Sequence, residues 1–140
     1  MDIQVAESED AVRGCYAVMR ELRTPLREDE FFRQVREQQA AGYRLAYIAS
    51  SGRPVAVAGY RIGQCLAWGR FMYVDDLVTL PSERSKGYGT VLLSWLQNQA
   101  RQAGCGELHL DSGVEKVDAH RFYEREGMSK SCFHYQLPLQ

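Results

Sequence analysis

Apolar residues recur along this chain with two periods, three-to-four and two, and the switches between them mark the elements. Ile3 to Ala6 reads as a short strand, after which Ser8 is placed to cap a helix whose apolar positions Val12, Cys15, Met19 and Leu22 step by three and four. Thr24-Pro25 ends that helix. A second helix is predicted from about Glu28 to Ala41, burying Phe31, Phe32 and Val35, with Gly42 as its left-handed cap. The period then changes: residues 43–49 and 54–62 alternate or run apolar around Ser51-Gly52-Arg53, which predicts a hairpin. Another strand runs from about Arg70 to Leu80, interrupted by Asp75-Asp76. From Thr90 to Ala103 the helical period returns, with Leu92, Leu93, Leu96, Ala100 and Ala103 on one face and Gly104 as the stop. Residues 107–111 form a strand, 116–126 a short helix stopped at Gly127, and Ser131 to Leu137 a last strand. Antiparallel hairpins followed by a β-α-β crossover imply an α/β (α+β) fold, a mixed, mostly antiparallel sheet flanked by helices. The length predicts one domain over residues 1–140.

The chemistry concentrates where the 70–80 strand meets the 90–103 helix. Arg84-Ser85-Lys86-Gly87-Tyr88-Gly89 joins them. Glycines at 87 and 89 let main-chain N–H groups approach a ligand without an intervening Cβ, and the first N–H groups of the helix have no intrahelical acceptor. With the helix dipole and two cations beside them, these donors suit a phosphate or pyrophosphate. A dinucleotide-binding fingerprint would need a third glycine where Leu92 stands and an early parallel unit, and no Gly-Lys-Ser/Thr of a P-loop occurs. Neither a Gly-x-Ser-x-Gly elbow nor a metal-ligand spacing is present.

Charge narrows the partners. Eighteen acids and seventeen bases nearly cancel, so no global field draws nucleic acid or an anionic membrane. No apolar run approaches a membrane span, and the start of the chain lacks a basic region followed by an apolar stretch, so a cytoplasmic location is expected. Cys15, Cys65, Cys105 and Cys132 lie far apart and within apolar-periodic stretches, which reads as small, partly buried thiols without function.

The segment from Val74 to Gly89, with Arg84, Gly87 and Gly89 after a strand and before a helix, resembles the acetyl-CoA pyrophosphate loop of the GNAT superfamily of N-acetyltransferases. The stretch Ala119 to Met128 resembles that family's other cofactor-binding segment, an alanine four before a tyrosine and then a glycine, with Met128 where the family usually has phenylalanine. The resemblance implies acetyl-CoA as co-substrate, no metal, and a primary amine as acceptor. It assigns the cofactor to Val78, Thr79, Leu80, Arg84, Ser85, Lys86, Gly87, Tyr88, Gly89 and Thr90, with free N–H groups near Val78 to Leu80 holding the pantetheine arm and thioester. Tyr123 matches the tyrosine whose hydroxyl addresses the CoA sulfur.

Asp75 and Asp76 are the candidate bases; they resemble the Glu-Asp at the same distance from the loop in diamine acetyltransferases. Strand alternation would send them to opposite faces, one toward the acceptor. Alternatively they are a solvated strand end with one ion pair. His109 and Asp111 on the next strand are the fallback bases, and His120 and His134 read as structural or surface residues. An acetyl transfer by direct attack in a ternary complex is expected, the alternative being a non-catalytic acyl-CoA-binding or sensor domain. Homodimers are common among such folds.

Overall fold

A computed structural model describes residues 1–140. Strand β1 (Ile3–Val5) leads to helices α1 (Glu9–Gly14), α2 (Tyr16–Met19) and α3 (Glu28–Ala40), and then to strands β2 (Arg44–Ser50), β3 (Arg53–Cys65) and β4 (Gly69–Thr79). A 3-10 turn at Pro81–Glu83 precedes α4 (Tyr88–Gln102), β5 (Glu107–Leu110) and α5 (Val117–Arg125). The five strands lie in chain order in one sheet, and β1 to β4 are antiparallel neighbours. This is the mixed, mostly antiparallel sheet flanked by helices that the pattern predicts. The chain divides into two compact units, Met1–His109 and Leu110–Gln140.

In the first unit β2 and β3 are buried at consecutive positions: Leu45 and Ala46, and Ala56, Val57 and Ala58, are all 0% exposed. Burial without alternation means that both faces of the sheet are covered. On one face Leu45 and Val57 cluster with Val12, Cys15, Val18, Phe31 and Val35 of the three early helices. On the other, α4 lies on β2, β3 and β4 and supplies Leu92, Leu93, Leu96 and Ala100, with Trp95 edge-on to Tyr60 at 5.8 Å. The β2–β3 hairpin closes as expected: Ser50 pairs with Arg53, and Ser51 and Gly52 turn with φ of 54° and 77°. Two successive left-handed residues match the twist of the flanking strands.

Three elements depart from the pattern. The first helix is capped by Ser8, whose hydroxyl accepts from Ala11 N at 3.1 Å, but it breaks at Cys15 and ends at Met19. Around the break Cys15 N and Val18 N bond three residues back, to Val12 O and Cys15 O, a tightening next to Gly14, a poor helix former. The β3–β4 hairpin extends beyond the apolar run to Cys65 and Gly69, because main-chain pairing continues where exposed Gln64 and Cys65 give no burial signal.

The third departure is the strand predicted at 131–137, which is absent: residues 128–140 belong to no helix or strand. Its alternating Phe133, Tyr135 and Leu137 are 84%, 90% and 79% exposed. Period-two patterning makes a segment able to be a strand, but a ladder needs a neighbour to pair with. Cys65 and Cys132 are likewise exposed and only Cys15 is buried, which corrects the expectation of four part-buried thiols.

Candidate active site

The turn between β4 and α4 is set by its backbone conformation. Gly87 is the N-cap of α4 at φ 89°, ψ 4°, and a Cβ there would meet nothing within 4 Å, so its backbone conformation, not crowding, calls for glycine. Val91 N is the first donor of α4 to find a carbonyl at the N-cap, Gly87 O at 3.1 Å. The N–H groups of Tyr88 and Gly89, in the first turn, have no helical acceptor. Ser85 also sits in the left-handed region, at φ 63°, a conformation uncommon for a non-glycine residue. Of the two cations, Lys86 pairs with Glu83, which raises its pKa, whereas Arg84 is exposed and joins no ion pair.

The strand end feeding this turn presents fewer free donors than expected. Leu80 N bonds Val55 O at 2.9 Å, and the register Val57↔Val78 places the Val78 N–H toward β3 by the antiparallel alternation. Of residues 78–80 only Thr79 turns its N–H away from β3. The expectation of free N–H groups along Val78 to Leu80 is therefore corrected to Thr79 alone. Gly106 N donates to Arg70 O at 2.9 Å, so β5 begins beside Arg70 and its four residues flank only the early part of β4.

Midway along β4 the ladder slips. Gly59 pairs with Asp76 and Tyr60 with Val74, so Asp75 is an extra residue opposite no partner, a β-bulge. The bulge turns the side chains of Asp75 and Asp76 into the same cavity, of about 510 Å³, between β4 and the early helices. The expectation of opposite faces is overturned by that one inserted residue. Asp76, with 13% of its side chain exposed, accepts from Tyr43 Oη at 2.7 Å and from Arg23 Nε at 3.0 Å. Asp75, 30% exposed, pairs through Oδ2 with Arg61 Nε at 2.9 Å, and its carbonyl accepts from Arg23 Nη2 at 2.8 Å. Burial, and then the Asp76 charge, push the Tyr43 phenol well above its ordinary value, so it is a fixed donor.

Gly59 makes the Tyr43–Asp76 bond possible. A Cβ at 59 would collide with the Tyr43 hydroxyl and lie 2.6 Å from Asp76 Oδ2. Met19, Leu26, Phe31 and Val35 complete the cavity with an apolar wall. Tyr43, Arg23, Arg61 and Gly59 escape sequence reading because they join Asp75 and Asp76 only through long-range register. An arginine at the end of an apolar-periodic helix was the one local hint.

The fallback bases are otherwise engaged. His109 stacks on Trp68 at 3.5 Å between centroids, and its Nε2 meets Glu107 Oε1 at 2.8 Å. In the second unit His134 Nδ1 lies 2.8 Å from Asp111 Oδ2, and His120 Nε2 lies 2.7 Å from Gly113 O. Tyr123, on α5, has its ring 5.4 Å from that of Phe122, and burial raises its phenol pKa. No group of three or more His, Cys, Asp or Glu residues is arranged to hold a metal, and no helix is long and apolar enough to cross a membrane.

Strand β4 thus carries the acid-bearing bulge midway and ends at the glycine turn into α4. The sequence model of the Acetyltransferase (GNAT) family matches residues 10–128, and the chain belongs to that family. The chain is 32% identical over 126 residues to the uncharacterized N-acetyltransferase YhdJ of Bacillus subtilis, covering 89% of each. It is 42% identical over 66 residues to the aminoalkylphosphonate N-acetyltransferase of Salmonella typhimurium, covering 47% of this chain and 43% of that one. Among solved structures, AAC(6')-Iy in complex with the bisubstrate analogue CoA-S-monomethyl-acetylneamine superimposes with a TM-score of 0.81 at 17% identity, over 98% of this chain and 97% of that one. At that identity the likeness is one of fold.

Proposed function

We propose that the protein transfers the acetyl group of acetyl-CoA to a primary amine by direct attack in a ternary complex. The observation that carries this reading is the composition of β4 and its exit: a bulge aiming two carboxylates into a cavity, followed by a turn with unpaired N–H donors and an unpaired arginine. The pyrophosphate is assigned to residues Arg84 to Thr90, and the pantetheine arm and thioester carbonyl to the Val78–Leu80 strand end, with the Thr79 N–H as donor to the oxyanion that develops. Acceptor and donor then meet beside the bulge.

In the transfer the amine lone pair forms the new C–N bond at the thioester carbon, and collapse of the tetrahedral intermediate breaks C–S and releases the CoA thiolate. Tyr123 takes its role from the family pattern: a phenol whose pKa lies above 10 stays protonated at neutral pH and donates to the departing sulfur. The amine's surplus proton leaves through Asp75 or Asp76. Asp75 is the better placed, because Asp76 has both oxygens committed to Tyr43 and Arg23 whereas Asp75 Oδ1 is left without a protein donor.

The test measures thiol release from acetyl-CoA with a panel of primary amines, and acetyl-CoA binding by thermal shift. Turnover that falls in Asp75→Asn with cofactor affinity retained supports the assignment. Cofactor binding without release for any amine would favour the non-catalytic acyl-CoA-binding alternative. Normal rates in Asp75→Asn and Asp76→Asn, with His109→Gln inactive, would move the base to β5.

A further inference from the structure

The charges inside the cavity say what kind of amine belongs there. Of its charged lining groups, Arg23, Arg61, Asp75 and Asp76 sum to zero, and the fifth, Glu30, is matched by Arg27 from outside the lining at 2.8 Å. Both carboxylates already face a guanidinium, so no unpaired negative charge remains to hold a second ammonium, as a diamine would require. The unspent capacity is on the arginines. Arg23 uses Nε and Nη2 on Asp76 and the Asp75 carbonyl, which leaves Nη1. Arg61 uses Nε on Asp75 and lies over the Tyr73 ring at 5.1 Å, which leaves both terminal nitrogens.

Both side chains are about half exposed, 49% and 50%, and both line the cavity, so the spare donors are not buried in the core. Arg61 presents a planar fork matched to an oxyanion, Arg23 adds its single free Nη1, and the carboxylates fix both orientations in advance. With Glu30 cancelled by Arg27, a cationic amine alone would leave these paired charges one positive in excess, whereas a zwitterion leaves them balanced.

We propose that the acceptor is a primary amine bearing an anionic group a few bonds away, a phosphonate, phosphate or carboxylate, with the anion on Arg61 and Arg23 and the amine at Asp75. This rests on the transferase reading for its turnover but not for its binding. The test compares matched amines, 2-aminoethylphosphonate and β-alanine against 1-propylamine and ethanolamine, by calorimetric binding in the presence of CoA and by thiol release from acetyl-CoA.

The two amines that carry an anionic group should bind about tenfold or more tightly than the two that lack one, the scale of one charge-assisted contact. Arg61→Gln should erase most of that preference and Arg61→Lys restore part of it. The ranking of the phosphonate against the carboxylate identifies which anion is preferred. Equal binding of amines with and without the anionic group, or a preference that survives both Arg61→Gln and Arg23→Gln, would overturn the proposal. Anion-selective binding without thiol release from any amine would sustain the anion site and sink the transferase reading.

Discussion

Removing one hydroxyl tests the internal logic of the cavity. Tyr43 is 5% exposed, and its phenol donates to Asp76 Oδ2 at 2.7 Å, a carboxylate whose other oxygen is held by Arg23. Tyr43→Phe leaves the ring's packing intact and deletes only the donor. A hydrogen bond to a charged group is worth about 1.5–3 kcal/mol. Asp76 keeps its guanidinium, and the adjoining cavity can admit a replacement water. The loss should therefore fall at the low end, about 1.5 kcal/mol, with a drop in Tm of about 5 °C for a chain of this size. Urea titration should show a lower midpoint with an unchanged slope. In a double-mutant cycle with Asp76→Asn, the coupling should reach about 1 kcal/mol.

A pH series adds an independent reading of the same bond. The folded-state pKa of Tyr43 is raised above its unfolded value, so its stabilisation is complete below about pH 10 and is lost as pH rises through the folded value. The wild type should therefore lose stability above pH 10 more steeply than Tyr43→Phe, by up to about 1.4 kcal/mol per pH unit. Gly59→Ala should break the bond from the other side, by overpacking worth about 1–3 kcal/mol. A Tyr43→Phe loss below about 0.5 kcal/mol, or strict additivity with Asp76→Asn, would refute the view that this bond holds the carboxylate in place.

Gly87→Ala places a Cβ at φ 89° without a clash; it should cost about 1–2 kcal/mol of folding stability and weaken the thermal shift produced by acetyl-CoA, and an unchanged shift would place the pyrophosphate elsewhere. Tyr123→Phe should keep CoA affinity and lower turnover by about 10²-fold, and an unaltered rate would reduce Tyr123 to a packing residue. Burial pushes the Cys15 thiol up to about 12 from 9.0, so its contribution to stability is whole below pH 9 and lost between 9 and 12. At pH 8 a thiol reagent should modify Cys65 and Cys132 quickly and reach Cys15 only on unfolding, as peptide mapping would show.

The parts of this molecule legible in its sequence are those whose physics is local. The turn at 84–90 announces itself because every donor it offers lies within seven consecutive residues, and the Ser51-Gly52 hairpin because two left-handed residues suffice to close it. The cavity beside the bulge is the opposite case. Asp75 and Asp76 are visible as a pair, but that they share one cavity depends on a bulge, and a bulge is a property of how β4 pairs with β3, not of β4. Their partners come from positions as remote as Arg23 and Tyr43, brought in by helix packing and by a glycine on the neighbouring strand that leaves room for a phenol. The alternation at 131–137 fails as a predictor for the same reason in reverse: the pattern is local and correct, but strand formation is a bimolecular property of two segments, and the second segment is not encoded beside the first. Charge follows this division too. Read along the chain, two adjacent aspartates suggest a site for a cationic group; read in space, they are already neutralised, and what the cavity still has to offer is the outward side of the arginines that neutralise them.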